Sequence, residues 1–337
     1  MSEKFSNKAV RKNYIDGWRG LAIIAVLYSH FLAIGDTRWL GSFGVDLFFA
    51  LSGYLMANVL FIKGQEISTF FLRRASRILP VFLIYTYVSY QVHLSIFGAF
   101  ETISTKEILS TIFFLRSYLP SEPSIWETRW AIGHYWSLNI EEHTYILLAI
   151  ITYITNKKSY KVKVLAVCSS IIITFVFRIF YKLELLNSPS DFTLYSHVAA
   201  YSILFSVFVR MITYRNPHLQ NVRNNHFISL VTIFFALVFS APIIGKPIFV
   251  PFFLAVAISY LHLGPKILLN LLSNRLLIGF GNASFSLYLW QQLFYVYVND
   301  KFLALGLTLT VGFSCYRLVE LPARTILNDQ YSKWIRK

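Results

Sequence analysis

Apolar residues recur along this 337-residue chain in runs long enough to be read as membrane spans, broken by short polar segments. Crossing a bilayer core about 30 Å thick takes about 20 helical residues. On that measure ten spans are predicted, at about 15–35, 43–62, 78–98, 135–155, 162–183, 192–212, 226–244, 247–263, 282–299 and 301–320. The stretch TKEILSTIFFLRSYLP, residues 105–120, is too short and too charged to cross, and is read as an interfacial helix on an extracytoplasmic loop. The pattern predicts an all-α integral membrane protein, a bundle of about ten transmembrane helices. A single membrane domain is expected over 1–337, with short cytoplasmic tails at about 1–14 and 321–337.

The basic residues sharpen this layout. With the N-terminus inside, 23 of the 31 Lys and Arg fall on predicted cytoplasmic segments, the bias that the positive-inside rule expects, so both termini are predicted to be cytoplasmic. Composition agrees: hydrophobic residues are 56% of the chain and charged ones 14%, against about 25% charged in soluble domains. The net charge of +15 is therefore read as topology and attraction to anionic lipid headgroups, with no nucleic-acid partner. The charged N-terminus leads into a full-length span without a small-residue cleavage site, which predicts a retained anchor. Cys168 and Cys315 both lie in predicted spans and form neither a disulfide framework nor a zinc site; no metal is expected. No internal repeat of the kind found in duplicated transporters is visible.

Within the first span, GWRGLAIIAVLYSHF, Arg19 and His30 stand eleven residues apart. At about 100° per residue they lie within roughly 20° of one face, separated by about 16 Å of rise. Ionisable groups at such depth are costly unless they face a bundle interior or a wet cavity. Arg19 also reads as a snorkelling anchor paired with Asp16, and His30 as an interior histidine bonded to a neighbouring helix.

These residues belong to a series. RGLAIIAVLYSH, GVDLFFALSGYL, RASRILP, HYWSLNIEEHTY, SFSLYLW and YRLVELPAR follow one another along essentially the whole chain. Together they resemble the acyltransferase 3 family, multi-span enzymes that O-acylate cell-envelope glycans and other acceptors. Two departures stand out: Gln291 and Gln292 follow SLYLW where the family often has a histidine, and Thr144 precedes Tyr145 where the family has its aromatic. The chain ends soon after the tenth span, so acceptor recognition is expected in the membrane domain or in a separate partner; a separate envelope partner or a homo-oligomer is the association considered.

The resemblance implies a donor, acetyl-CoA or another acyl-CoA, on the cytoplasmic side and a glycan or lipid-linked glycan acceptor beyond the membrane, in a bacterial cytoplasmic membrane. Arg19 with Arg73, Arg74 and Arg77, placed in a basic loop between the second and third spans, are candidates for the donor's phosphates, there being no glycine-rich phosphate loop. Anchoring against lipid phosphate is the plainer alternative. His30 is the candidate general base or acyl acceptor. Glu141 and Glu142 are expected near its depth, Glu141 orienting the imidazole; both also suit a helix N-terminus. Asp46, His134, Trp136 and Glu142 are candidates for binding the acceptor, set against capping by Asp46 and an interfacial belt role for Trp136. A transporter or flippase of a polar envelope precursor is the alternative function, and a non-catalytic scaffold a third.

Overall fold

The computed structural model describes residues 13–98, 103–186, 191–216, 219, 227–240 and 246–335. The basic tail through Lys12, positions 217, 218 and 220–223 of the predicted cytoplasmic segment, 226 and 241–244 of the seventh predicted span and the last two residues lie outside the described residues. Among those described, every regular element is helical. A helix occupies each of the ten stretches predicted from apolar runs. Among the described residues three helices are long and apolar enough to cross a membrane, Gly35–Ile62, Tyr160–Lys182 and Lys301–Tyr331; Phe249–Leu263 and Lys266–Leu272, bent by 103°, pass the same test together, as a broken span or a re-entrant loop. Outward faces carry Ile172, Ile173, Val231, Phe234 and Leu303 exposed, the kind of apolar surface that a membrane covers.

The chain begins with α1 (Asn13–Leu27) and α2 (Trp39–Met56), each prolonged by a π turn, Tyr28–Leu32 and Ala57–Ile62. Then come α3 (Ile67–Phe97), the short α4 (Thr105–Ile112), α5 (Tyr135–Ile154) and α6 (Tyr160–Lys182). The second half holds α7 (Ser196–Ala199), α8 (Tyr201–Arg215), α9 (Ile228–Ser240) and α10 (Lys246–Tyr260). It ends with α11 (Lys266–Leu272), α12 (Arg275–Asn282), α13 (Ser284–Tyr297), α14 (Lys301–Cys315) and α15 (Leu321–Ile335), the last two joined through a π turn at Tyr316–Glu320.

Two features differ from the expected layout. The third helix starts at Ile67, so Arg73, Arg74 and Arg77 are helical residues and not loop residues. The C-terminal segment expected as a tail is the helix α15, which packs along α3. The interfacial segment forms a helix only over Thr105–Ile112, started by a capping box between Ser104 and Glu107. Two of its charges are internal: Arg116 is buried, pairs with Glu107 at 3.3 Å and donates to the Pro123 carbonyl at 2.9 Å.

Glycines set the spacing at the centre. A Cβ on Gly17 would stand 1.6 Å from the Leu272 carbonyl oxygen, and one on Gly281 1.8 Å from that of Asp16. The backbones of α1 and the α11–α12 segment thus touch, as small residues allow between membrane helices. Around this contact Trp18 donates to the Leu47 carbonyl at 3.0 Å, fixing α1 on α2, and Ser206 donates to that of Ala50 at 2.5 Å, fixing α8 on α2. Gly281→Val should force the pair apart and cost about 3 kcal/mol, the upper end of overpacking penalties. Gly306→Ala, with open space around it, should be neutral; apparent melting temperatures of the two purified variants test the difference.

Candidate functional site

The chemistry is concentrated where α1, α2, α3, α5 and α13 meet. Arg74 projects from the second turn of α3 toward α5. Its Nε donates to both oxygens of Glu142, at 3.0 and 3.2 Å, and its NH2 reaches Glu141 Oε2 at 3.1 Å. The guanidinium carbon lies 3.5 Å from the centroid of the Tyr145 ring, whose hydroxyl donates to Glu141 Oε1 at 2.8 Å. Ser52 of α2 donates to the same oxygen. Side chains of Arg74, Glu141 and Glu142 are only 14, 18 and 16% exposed, so one cation faces two carboxylates in a mostly dry interior.

Beside this cluster lies a cavity of about 120 Å³. Arg19, Arg74, Arg77, Ser52, Glu141 and Tyr288 supply its polar wall, and Val45, Phe48, Phe49 and Leu51 much of the apolar one. Ser137 and Tyr288, also on the wall, share a hydrogen bond of 2.7 Å, and the Tyr288 hydroxyl lies 3.3 Å from the His134 carbonyl. Arg19 meets Asp16 at 3.4 Å, the pairing that the i, i+3 spacing predicts. Arg77 makes no hydrogen bond or ion pair among the described residues.

His30 sits apart from that wall, in the π turn that ends α1. Its Nδ1 donates to the Gln291 amide oxygen at 2.5 Å, and its ring stacks on Tyr295 at 4.6 Å. Gln291 is fully buried. His134 is also buried, edge-on to Tyr85 and Tyr288 at 5.4 Å, and neither of its ring nitrogens has a hydrogen-bond partner among the described residues. A buried histidine with both nitrogens open is a place for a ligand or water to bond.

The expected pairing of Glu141 with His30 is corrected here. Glu141 lies six residues into α5, about 9 Å along its axis, where Arg74 holds it; the imidazole is held by Gln291 instead. Arg73 is exposed, contacts Gln65 at 3.4 Å and does not line the cavity. Asp46 lies off the cavity, within electrostatic reach of Tyr201. Trp136 is half-buried, edge-on to Phe49 at 6.2 Å, one ring behind the cavity wall. Glu142 serves Arg74. Gln291 is the residue that sequence reading passed over; its signal was an amide where the resembled family has a histidine.

A family model described as an acyltransferase domain, that of acyltransferase 3, matches residues 12–319. A Staphylococcus aureus (strain COL) protein named "Putative O-acetyltransferase" is 25% identical over 92% of this chain and 57% of its own length. The peptidoglycan O-acetyltransferase OatA of Listeria monocytogenes is 28% identical over 46% of this chain and 27% of its own. The O-acetyltransferase OatA of S. aureus strain NCTC 8325 is 30% identical over 42% and 25%. The chain therefore spans little more than half the length of the first of these relatives. No solved structure matches at comparable significance.

Removing the buried cation should be severe. Arg74→Gln leaves two carboxylates facing each other and should cost about 3–5 kcal/mol, whereas Arg73→Gln, at an exposed position, should change stability by less than about 0.5 kcal/mol. Adding Glu142→Gln to Arg74→Gln should recover part of the loss; thermal unfolding of the three variants checks the order.

Proposed function

The chain belongs to the acyltransferase 3 family, and we propose that it is a membrane O-acyltransferase moving an acetyl group from acetyl-CoA to a hydroxyl of an envelope glycan or its lipid-linked precursor. The observation that carries this reading is the combination of arginines on the cavity wall with two histidines in the same bundle, His30 held by Gln291 and His134 with both nitrogens open. Along α1, Arg19 and His30 are separated by about 16 Å, a length suited to an extended pantetheine arm. The widened π turn alters the angular step before His30, yet both side chains still meet polar partners inside the bundle.

In this reading Arg19 and Arg77 meet the donor's phosphates, and the thioester lies near His30. Gln291 fixes the imidazole by accepting from Nδ1, which leaves Nε2 to take a proton. The acceptor oxygen attacks the thioester carbonyl; a C–O bond forms, the C–S bond breaks, the hydroxyl proton passes to His30 Nε2, and the thiolate leaves and is protonated by the returning imidazolium. The open nitrogens of His134 bond the acceptor's hydroxyls. Arg74 acts by holding α3, α5 and the Ser52 turn of α2 around the cavity. Donor and acceptor belong to opposite faces of a bacterial cytoplasmic membrane, with ten spans and both termini inside as the basic bias predicts.

His30→Ala should lower the transfer rate by about 10²–10⁴-fold, the range for general base catalysis, while acetyl-CoA still binds. Gln291→Leu should lower kcat with KM for acetyl-CoA little changed, and Gln291→Asn should retain more activity. Release of CoA by purified protein supplied with an envelope glycan fraction provides the assay; undiminished turnover in His30→Ala would remove that residue from the mechanism.

A further inference from the structure

A second, more polar cavity of about 260 Å³ adjoins the first. Arg19 and Arg77 line both, so the two cavities meet across these guanidinium groups. The remainder of the second wall includes Arg324 and Asn328 of α15, Asn282 at the end of α12 and Tyr316 in the last π turn. The touching glycines of α1 and α12 are what bring the end of α12 beside Arg19. α15, packed along α3, brings Arg324 opposite Arg77.

Charge is concentrated in this vestibule. Arg19, Arg77 and Arg324 share one wall, and no carboxylate lines it. Asp16 pairs with Arg19 from behind, and Glu320, buried, accepts from Ser286 at 2.6 Å while feeling Arg77 and Arg324. Asn282, Asn328, Thr325 and Tyr316 add amides and hydroxyls to the three guanidinium groups. Such a set fits a multiply charged phosphate, the anion that forked guanidinium donors bind best. Arg74 has its donors committed to Glu141 and Glu142 and does not line this second cavity, so the Arg74 and Arg77 pair divides between two tasks.

We propose that this vestibule is the binding site for the phosphate-bearing end of the donor, and that Arg324 of the C-terminal helix, with Asn282 and Asn328, is part of it. The assignment rests on the donor being an acyl-CoA. The phosphate chemistry is shared with lipid headgroups, and the test separates the two sources.

Adenosine 3′,5′-bisphosphate, which carries the nucleotide's phosphates without the thioester arm, is titrated calorimetrically into protein in phosphatidylcholine nanodiscs. Arg324→Gln should weaken binding at least tenfold and Arg324→Glu more. Arg317→Gln, an exposed arginine outside the vestibule, should stay within twofold. Acetyl-CoA binding that is tight but equal in all the variants overturns the vestibule and leaves the donor reading standing; no acetyl-CoA binding to any folded protein removes the donor reading itself. Bisphosphate binding that disappears when phosphatidylglycerol replaces part of the lipid gives the site to headgroups and overturns the assignment.

Discussion

The bundle depends on a cation held where water is scarce. Arg74 supplies one positive charge to two carboxylates on consecutive residues of α5, and its flat face covers the Tyr145 ring. Each oxygen of Glu141 then has a partner, from Arg74 on one side and from Ser52 and Tyr145 on the other. Desolvating charges this far is tolerable only when every lone pair is met. Three helices must therefore keep their mutual distances, and the cavity beside them keeps its shape as a result.

Much of the helical layout was legible because an apolar run of about 20 residues says little except helix in a membrane. TYILLAIITYI within α5 and VLAVCSSIIITFVF within α6 need no partner to be recognised. Arg19 with Asp16 was legible for a similar reason, since their contact lies within one helical turn. Long-range pairings were not. Glu141 is 67 residues from Arg74, and Gln291 is 261 from His30; spacing along one helix carries no information about which neighbour faces it. The π turns escaped too, because one extra residue in a largely apolar stretch leaves the hydrophobic pattern almost unchanged.

Three π turns mark positions with chemistry or tight polar contacts: His30 in the first, Asn58 in the second, Glu320 in the last. Asn58 accepts twice from Arg210 of α8, at 3.0 and 3.1 Å, so that an arginine on a membrane helix is matched without a carboxylate. The same economy holds at Glu320, whose buried carboxylate takes a serine hydroxyl. Widened turns let a helix aim a polar side chain where regular geometry would point it elsewhere.

The Arg74 cluster also has a history within each molecule. Arg74 is synthesised well before the glutamates that will neutralise it, because chains emerge from the ribosome N-terminus first. In the interval it has no carboxylate of α5 to meet, and a lone guanidinium enters a dry interior only at high cost. Only when α5 arrives does the same side chain leave water and become an internal counter-ion. The tie between α3 and α5 is thus made late, and the order in which the chain is synthesised sets the earliest moment at which this guanidinium can be buried.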